Sequence, residues 1–141
     1  MTLADVNVLI YAHREDSPHH AVCHRWLLET VSRDAPFGLS DAVLAGVVRV
    51  ATHPKIFKQP SRLEVVLAFV EGLLRQPNAI MVRPGARHWE IFSRLCRDSA
   101  VRGNLVADTY LAALAIEAGC EWITTDGDFA RFPGLKWRAP A

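Results

Sequence analysis

A repeated switch in hydrophobic period constrains this chain more than any other feature. Short apolar runs of strand length stop at a polar or turn residue, and most lead into apolar patterns of helical period. Leu3-Ala4 ends at Asp5, Trp122-Ile123-Thr124-Thr125 ends at Asp126, and Ala79 to Val82 and Leu135 to Arg138 form two further runs. A parallel neighbour can be reached only by a long crossover, usually a helix, so this alternation predicts a mostly parallel sheet covered by helices. The expected fold is a three-layer α/β sandwich, with residues 1–141 forming a single domain.

The helices are read from periodicity and punctuation. The run Val6 to Ala12 continues from the first strand as a helix or extended turn. Ser17-Pro18 offers a capping hydroxyl and a proline for a first helical position, followed by Ala21, His24, Leu27, Leu28 and Val31 at helical spacing. Ser40-Asp41 opens a helix toward Val50, which His53-Pro54 ends. Ser61 and Glu64 have capping-box spacing ahead of Leu63, Val66, Leu67, Val70 and Leu74, and Pro77 closes that helix. A helix with Trp89, Phe92 and Cys96 inside follows, and then an alanine-rich one from Val106 to Ala118, stopped by Gly119. Trp89, Trp122 and Trp137 are expected in the core, and Trp26 is left as a candidate for a partner surface.

Composition excludes several classes. Half the residues are hydrophobic and 22% are charged, an ordinary globular balance with a net charge of only +1. Local charge is another matter: between Asp41 and Glu64 there is no acid, while Arg49, Lys55, Lys58 and Arg62 all fall there. Such a stretch makes either a basic patch for phosphates or a solvated edge. Cys23, Cys96 and Cys120 have no zinc-knuckle or redox spacing and read as buried thiols of a reducing compartment. His20 and His24 stand at i, i+4 without a third or fourth zinc ligand, and the helix is expected to bury the face that carries His24. No basic and apolar leader opens the chain, and no apolar run reaches the roughly 20 residues of a membrane span, so a soluble cytoplasmic protein is expected.

The acids carry the chemistry. Open parallel sheets bind ligands beyond the carboxyl ends of their strands. Asp5 and Asp126 each stand where a strand stops, Asp128 is two residues beyond, and Asp108 is expected in the first turn of a helix. Carboxylates gathered at one rim repel and raise one another's pKa, a cost that a divalent cation removes. Magnesium prefers such hard oxygen donors and suits phosphodiester chemistry. Taken singly, each aspartate also reads as a turn residue or helix cap; their joint placement argues otherwise.

Several motifs then resemble PIN-domain nucleases. Asp5-Val6-Asn7-Val8-Leu9 looks like the family's opening D-x-N-x-L, and Gly103-Asn104 through Asp108 to Ala115 resembles its third acidic motif. Thr125-Asp126-Gly127-Asp128-Phe129 resembles its final T-x-D-x-D-F motif. The middle segment, from Leu39-Ser40 through Arg49 to His53-Pro54, is similar too, and its Thr-His-Pro looks most like VapC-type toxins of toxin–antitoxin pairs. The resemblance implies a magnesium-dependent ribonuclease, with manganese as a substitute, acting on structured transfer or ribosomal RNA. It implies a homodimer and a VapB-type antitoxin as partners. It assigns metal to Asp5, Asp108 and Asp126, makes Asn7 an orienting residue, and puts Thr125 and Asp128 in support. Arg49 and Lys55 are the candidate grips on the RNA backbone.

One departure stands out. The family usually carries a glutamate in the middle motif where this chain has Gly46, and the nearest acid is Asp41. Five helical residues shift a side chain by about 7.5 Å and turn it through about 500°. Asp41 therefore has two readings, a substitute acting from another angle or a plain helix-start charge. Two rivals follow for the whole chain. A haloacid-dehalogenase-type phosphohydrolase would want an acid where Asn7 stands and a lysine between Lys58 and Lys136, where there is none. A PIN fold that binds RNA or protein with weakened catalysis is the other, and Gly46 is its motive.

Overall fold

The computed structural model describes residues 1–141. Its elements run β1 (Thr2–Ala4), α1 (Val6–His13), α2 (His20–Ser32), β2 (Phe37–Leu39), α3 (Asp41–Ala51), α4 (Leu63–Leu74), β3 (Ala79–Met81), α5 (His88–Asp98), α6 (Asn104–Ala118), β4 (Glu121–Ile123) and β5 (Trp137–Arg138). The strands form one five-stranded sheet in the order β3-β2-β1-β4-β5, and every pairing is parallel. The expected α/β fold with a parallel sheet is what the chain adopts.

The order reverses at β1. From there the chain steps outward through β2 to β3, then crosses back to place β4 on the other side of β1. Right-handed crossovers in opposite directions send the connecting helices to opposite faces. In accord with this, α1 packs on α2 and α3, α3 on α4, and α5 on α6. Between β1 and β4 the register pairs Leu3 with Trp122 and Ala4 with Ile123, and the Asp5 N–H donates to the Ile123 carbonyl at 2.8 Å. Asp5 and Thr124 are therefore the first residues past the sheet on two adjacent strands, at its topological switch point. Beneath them lies a single hydrophobic cluster that includes Leu3, Leu9, Leu95, Leu114, Trp122, Ile123 and Phe129.

Several local expectations are corrected. Phe37-Gly38-Leu39 forms the strand β2, where the sequence pattern predicts none. Ser61 does not cap α4, whose N-cap is Arg62 without a side-chain bond; its hydroxyl instead meets His13 Nε2 and Arg14. In α4 the buried residues are Val66, Val70 and Leu73, while Leu63 and Leu74 face solvent. The helix α2 begins at His20 and buries Cys23, Trp26, Leu27 and Thr30, leaving His24 exposed. Trp26 is thus a core residue rather than a surface one. Trp89 is the reverse, 72% exposed, because α5 turns Ile91 and Leu95 inward. Cys23 and Cys120 are buried and Cys96 half-buried, all three free. No helix is long and apolar enough to cross a membrane.

Candidate active site

Asp5 is the N-cap of α1 and sits at the floor of the carboxyl-end crevice, 7% exposed. Two donors hold its carboxylate: the Val6 N–H reaches Oδ1 at 2.7 Å, and the Thr124 hydroxyl reaches Oδ2 at 2.7 Å. Burial pushes its carboxyl up to about 6, with Asp108 and Asp126 adding to the rise and the two hydrogen bonds opposing it. A carboxylate so disfavoured gains from any cation that replaces its lost hydration.

Thr124 organises the neighbouring loop as well. The Asp126 N–H donates to its hydroxyl oxygen at 3.0 Å, and the Asn7 amide approaches the same oxygen at 3.5 Å. Asn7 in turn accepts from the Thr125 N–H at 3.4 Å. The Asp126 carboxylate accepts from the Asp128 N–H at 2.9 Å, which starts the tight turn Gly127–Arg131. One hydroxyl therefore ties Asp5, Asn7 and Asp126 into a network across β1 and β4. Thr125, expected in support of the acids, contributes only its backbone, and its side chain is exposed. The signal that identifies Thr124 is its position two residues before Asp126, in register with Asp5.

Asp108 comes from α6 on the facing side. It lies in the second turn rather than the first, since the helix begins at Asn104. Burial raises its carboxyl above the usual range, with Asp126 and Asp128 contributing, while Arg131 pulls it back. Arg131, unremarked in the sequence, is oriented by an Nε–H bond to the Asp128 carbonyl at 3.1 Å. Asp41 stands apart: it is exposed and pairs with Arg83 at 3.0 Å.

Asp5 and Asp108 lie on the border between two cavities and line both. The larger, about 820 Å³, runs between α3 and α6 and includes Gly46 and Arg49. The smaller, about 390 Å³, includes Asn7 and Asp126. Lys55 belongs to neither lining and is exposed in the loop after α3. At Gly46 a Cβ would lie 2.8 Å from Val6 Cγ2, so the side chain of α1 fills the space where an acid of α3 would begin.

The donor set fits a hard divalent cation, with two carboxylates pushed upward and a third tethered beside them. No three acidic, imidazole or thiolate side chains come together closely enough to form a metal-holding group by themselves. Magnesium, which binds through one or two carboxylates and keeps several waters, does not require such a group.

The PIN domain family model matches residues 2–135. Ribonuclease VapC43 of Mycobacterium tuberculosis is 45% identical over 141 residues, covering 99% of this chain and 95% of that protein. Ribonuclease VapC31 of the same species is 37% identical, with 99% of each chain covered. Among solved structures, VapBC2 from Rickettsia felis, bound to a promoter DNA fragment, superposes with a TM-score of 0.72 at 18% identity, over 98% and 97% of the chains. Mycobacterium tuberculosis VapC20, a toxin that cleaves the sarcin–ricin loop, gives 0.67 at 14% identity, over 96% and 98%. At those identities the structures speak for the fold, and the sequence relatives speak for the family. With the family model spanning nearly every residue and a ribonuclease matched end to end, the chain belongs to the PIN domain family, among its VapC ribonucleases.

Proposed function

We propose that this ribonuclease is a magnesium-dependent endonuclease of structured cellular RNA, transfer or ribosomal, acting as the toxin of a VapBC-type pair. The observation that carries this is the placement of Asp5, Asp108 and Asp126 around one crevice at the sheet's switch point, with Thr124 bracing two of them. Asp5, Asp108 and Asp126 would hold magnesium, manganese substituting, and when bound the ion supplies charge stabilisation on a phosphodiester and readier deprotonation of water.

The chain's own residues do the rest. Thr124 and the Val6 N–H use one lone pair on each oxygen of Asp5 and leave the others free. Asn7 fixes the loop after β4, and Asp128 supports Asp126 through its backbone N–H. Arg49 in the larger cavity, Lys55 beyond it and Arg131 beside Asp108 supply positive charge for phosphates.

The solved VapBC complexes of similar fold support an antitoxin as a partner. A VapB-type antitoxin is expected to lay an apolar helix on the side of α4 where Leu63 and Leu74 are exposed. A homodimer is expected for the toxin itself. Expression of the protein alone should slow growth, and coexpression of the antitoxin should relieve it.

Purified protein incubated with total cellular RNA, with and without magnesium, tests the reading, with new ends mapped. Discrete magnesium-dependent ends support it; intact RNA under both conditions contradicts it. A second reading has one observation behind it. With glycine at position 46 and Val6 filling the space beside it, the α3 wall carries no acid there, and the chain would then be a PIN fold that binds RNA or protein with weakened catalysis. Retention of RNA without new ends would favour that alternative.

A further inference from the structure

The smaller cavity is continuous with the acids, since Asp5, Asp108 and Asp126 form part of its lining. Its remaining wall is largely apolar and includes Tyr11 from α1, Val50 from α3, and Ile56 and Phe57 from the loop between α3 and α4. That loop is anchored by a built cluster. The Arg14 guanidinium, itself buried, lies 3.8 Å from the Phe57 ring centroid. It donates to the Gln59 carbonyl at 2.9 Å and to the Ser61 hydroxyl at 3.1 Å, and it is gripped by both oxygens of Asp16. His13 meets the same Ser61 hydroxyl at 3.1 Å, and the Ser61 N–H donates to the Ala51 carbonyl at 2.8 Å. Tyr11 is backed by the His19 ring, with centroids 4.9 Å apart. The cavity wall is therefore held in place by hydrogen bonds and ring contacts within the chain itself. Ile56, 50% exposed, presents an aliphatic side chain on this wall with nothing in the chain to cover it.

We propose that this cavity receives an unpaired nucleobase adjacent to the phosphate being cut, an inference that rests on the ribonuclease reading. Its volume, about 390 Å³, suits a single nucleotide rather than a helix. A base has flat apolar faces that stack on aromatic and aliphatic walls, while its polar edge needs a donor and acceptor such as the Asn7 amide, which also lines the cavity. Lys55 and Lys58 flank Ile56-Phe57 and are exposed, placing positive charge where the attached phosphates would run. The loop would thus select RNA that can splay a base out of its stack.

An RNA oligonucleotide spanning the cleavage site mapped in total RNA, and versions with an abasic nucleotide at each flanking position, test this against unaltered protein and Ile56→Ser. A second variant, Phe57→Leu, keeps apolar bulk while removing the ring. The expected result is that one abasic position lowers kcat/KM by roughly 5- to 150-fold, the range of a lost base–aromatic stack. Both variants should slow the intact RNA yet leave that abasic RNA unchanged. If the variants slow intact and abasic RNA by the same factor, or slow neither, the cavity does not hold a base. Unchanged cleavage of both RNAs with weakened inhibition by the antitoxin would give the cavity to the antitoxin and overturn the proposal. Failure of the unaltered protein to cut any RNA would instead overturn the nuclease reading, and the subsite with it.

Discussion

On the β1–β4 side of the crevice, Asp5 is capped by a backbone N–H and a threonine hydroxyl, and Asp126 is tied to that same hydroxyl through its N–H. On the α3–α6 side the site is thinner. Asp108 is steered by burial and by the charges of Asp126, Asp128 and Arg131, Gly46 lies against Val6, and Asp41 is turned to Arg83. The first side is organised by hydrogen bonds within the protein; the second is left for a cation and substrate to complete. On the proposed reading, a metal would be held from both sides, by Asp5 and Asp126 past the strand ends and by Asp108 on α6, while α3 contributes shape and positive charge rather than a ligand.

The largest expected effect is loss of either principal carboxylate. Asp5→Asn or Asp108→Asn should lower magnesium-dependent cleavage by about 1,000-fold or more, the value of several kcal/mol of charge stabilisation, with circular dichroism unchanged. Loss of activity on only one side of the crevice would break the comparison. Next comes the brace: Thr124→Val should cost about 10- to 100-fold in metal affinity or rate, as removal of a supporting hydrogen bond does elsewhere. The adjacent Thr125→Val should change the rate by no more than about twofold, as an exposed substitution. Equal losses at the two threonines would contradict the network.

The thinner side is tested by adding what it lacks. Gly46→Glu forces a Cβ against Val6 Cγ2 and should cost about 1–3 kcal/mol of stability, read as a fall in urea midpoint. Gly46→Glu combined with Val6→Ala should recover most of that loss and tighten magnesium binding. Smallest of all, Asp41→Ala should alter cleavage by less than about fivefold, since it breaks only an exposed ion pair. An inactive but folded Asp41→Ala would mean that α3 moves to bring this acid to the metal.

The fold was legible where local and long-range preferences agree. Leu3-Ala4 stops at Asp5 and Trp122-Ile123 leads through two threonines to Asp126, and the sheet register puts the two runs side by side. The strand β2 escaped because it is three residues long with a glycine at its centre. That glycine is required by packing, since a Cβ there would lie 2.9 Å from Val82 Cγ2. Ser61 has the spacing of a cap, but a tertiary contact with Arg14 and His13 takes its hydroxyl. Trp26, a candidate for a partner surface, is buried, and Trp89, expected in the core, is exposed, because helical phase rather than aromatic size decides burial; Cys23, Leu27, Ile91 and Leu95 set that phase. At the site, Asp5 and Asp126 could be named from the ends of strand-like runs, and Asp108 from the alanine-rich helix. The choice between Thr124 and Thr125 depends on which of two successive side chains faces Asp5, and the strand's alternation decides it.

Thermal unfolding against pH, with and without magnesium, tests the central claim most directly. Asp5 has a folded pKa of about 6 against an ordinary 3.8, so the native state holds its proton over a pH range in which the unfolded chain releases it. Its stabilising contribution is full below about pH 4 and is lost as pH rises through about 6, amounting to about 3 kcal/mol, and the upward shift of Asp108 acts in the same direction. Above pH 6 a cation that binds only the folded state should restore stability, by about 2.7 kcal/mol at a hundred times its Kd, or roughly 5–10 °C in Tm. The account predicts that rise for the unaltered protein and its absence in the Asp5→Asn, Asp108→Asn double variant. A melting curve indifferent to millimolar magnesium or manganese at pH 7, or an equal rise in the double variant, would contradict it.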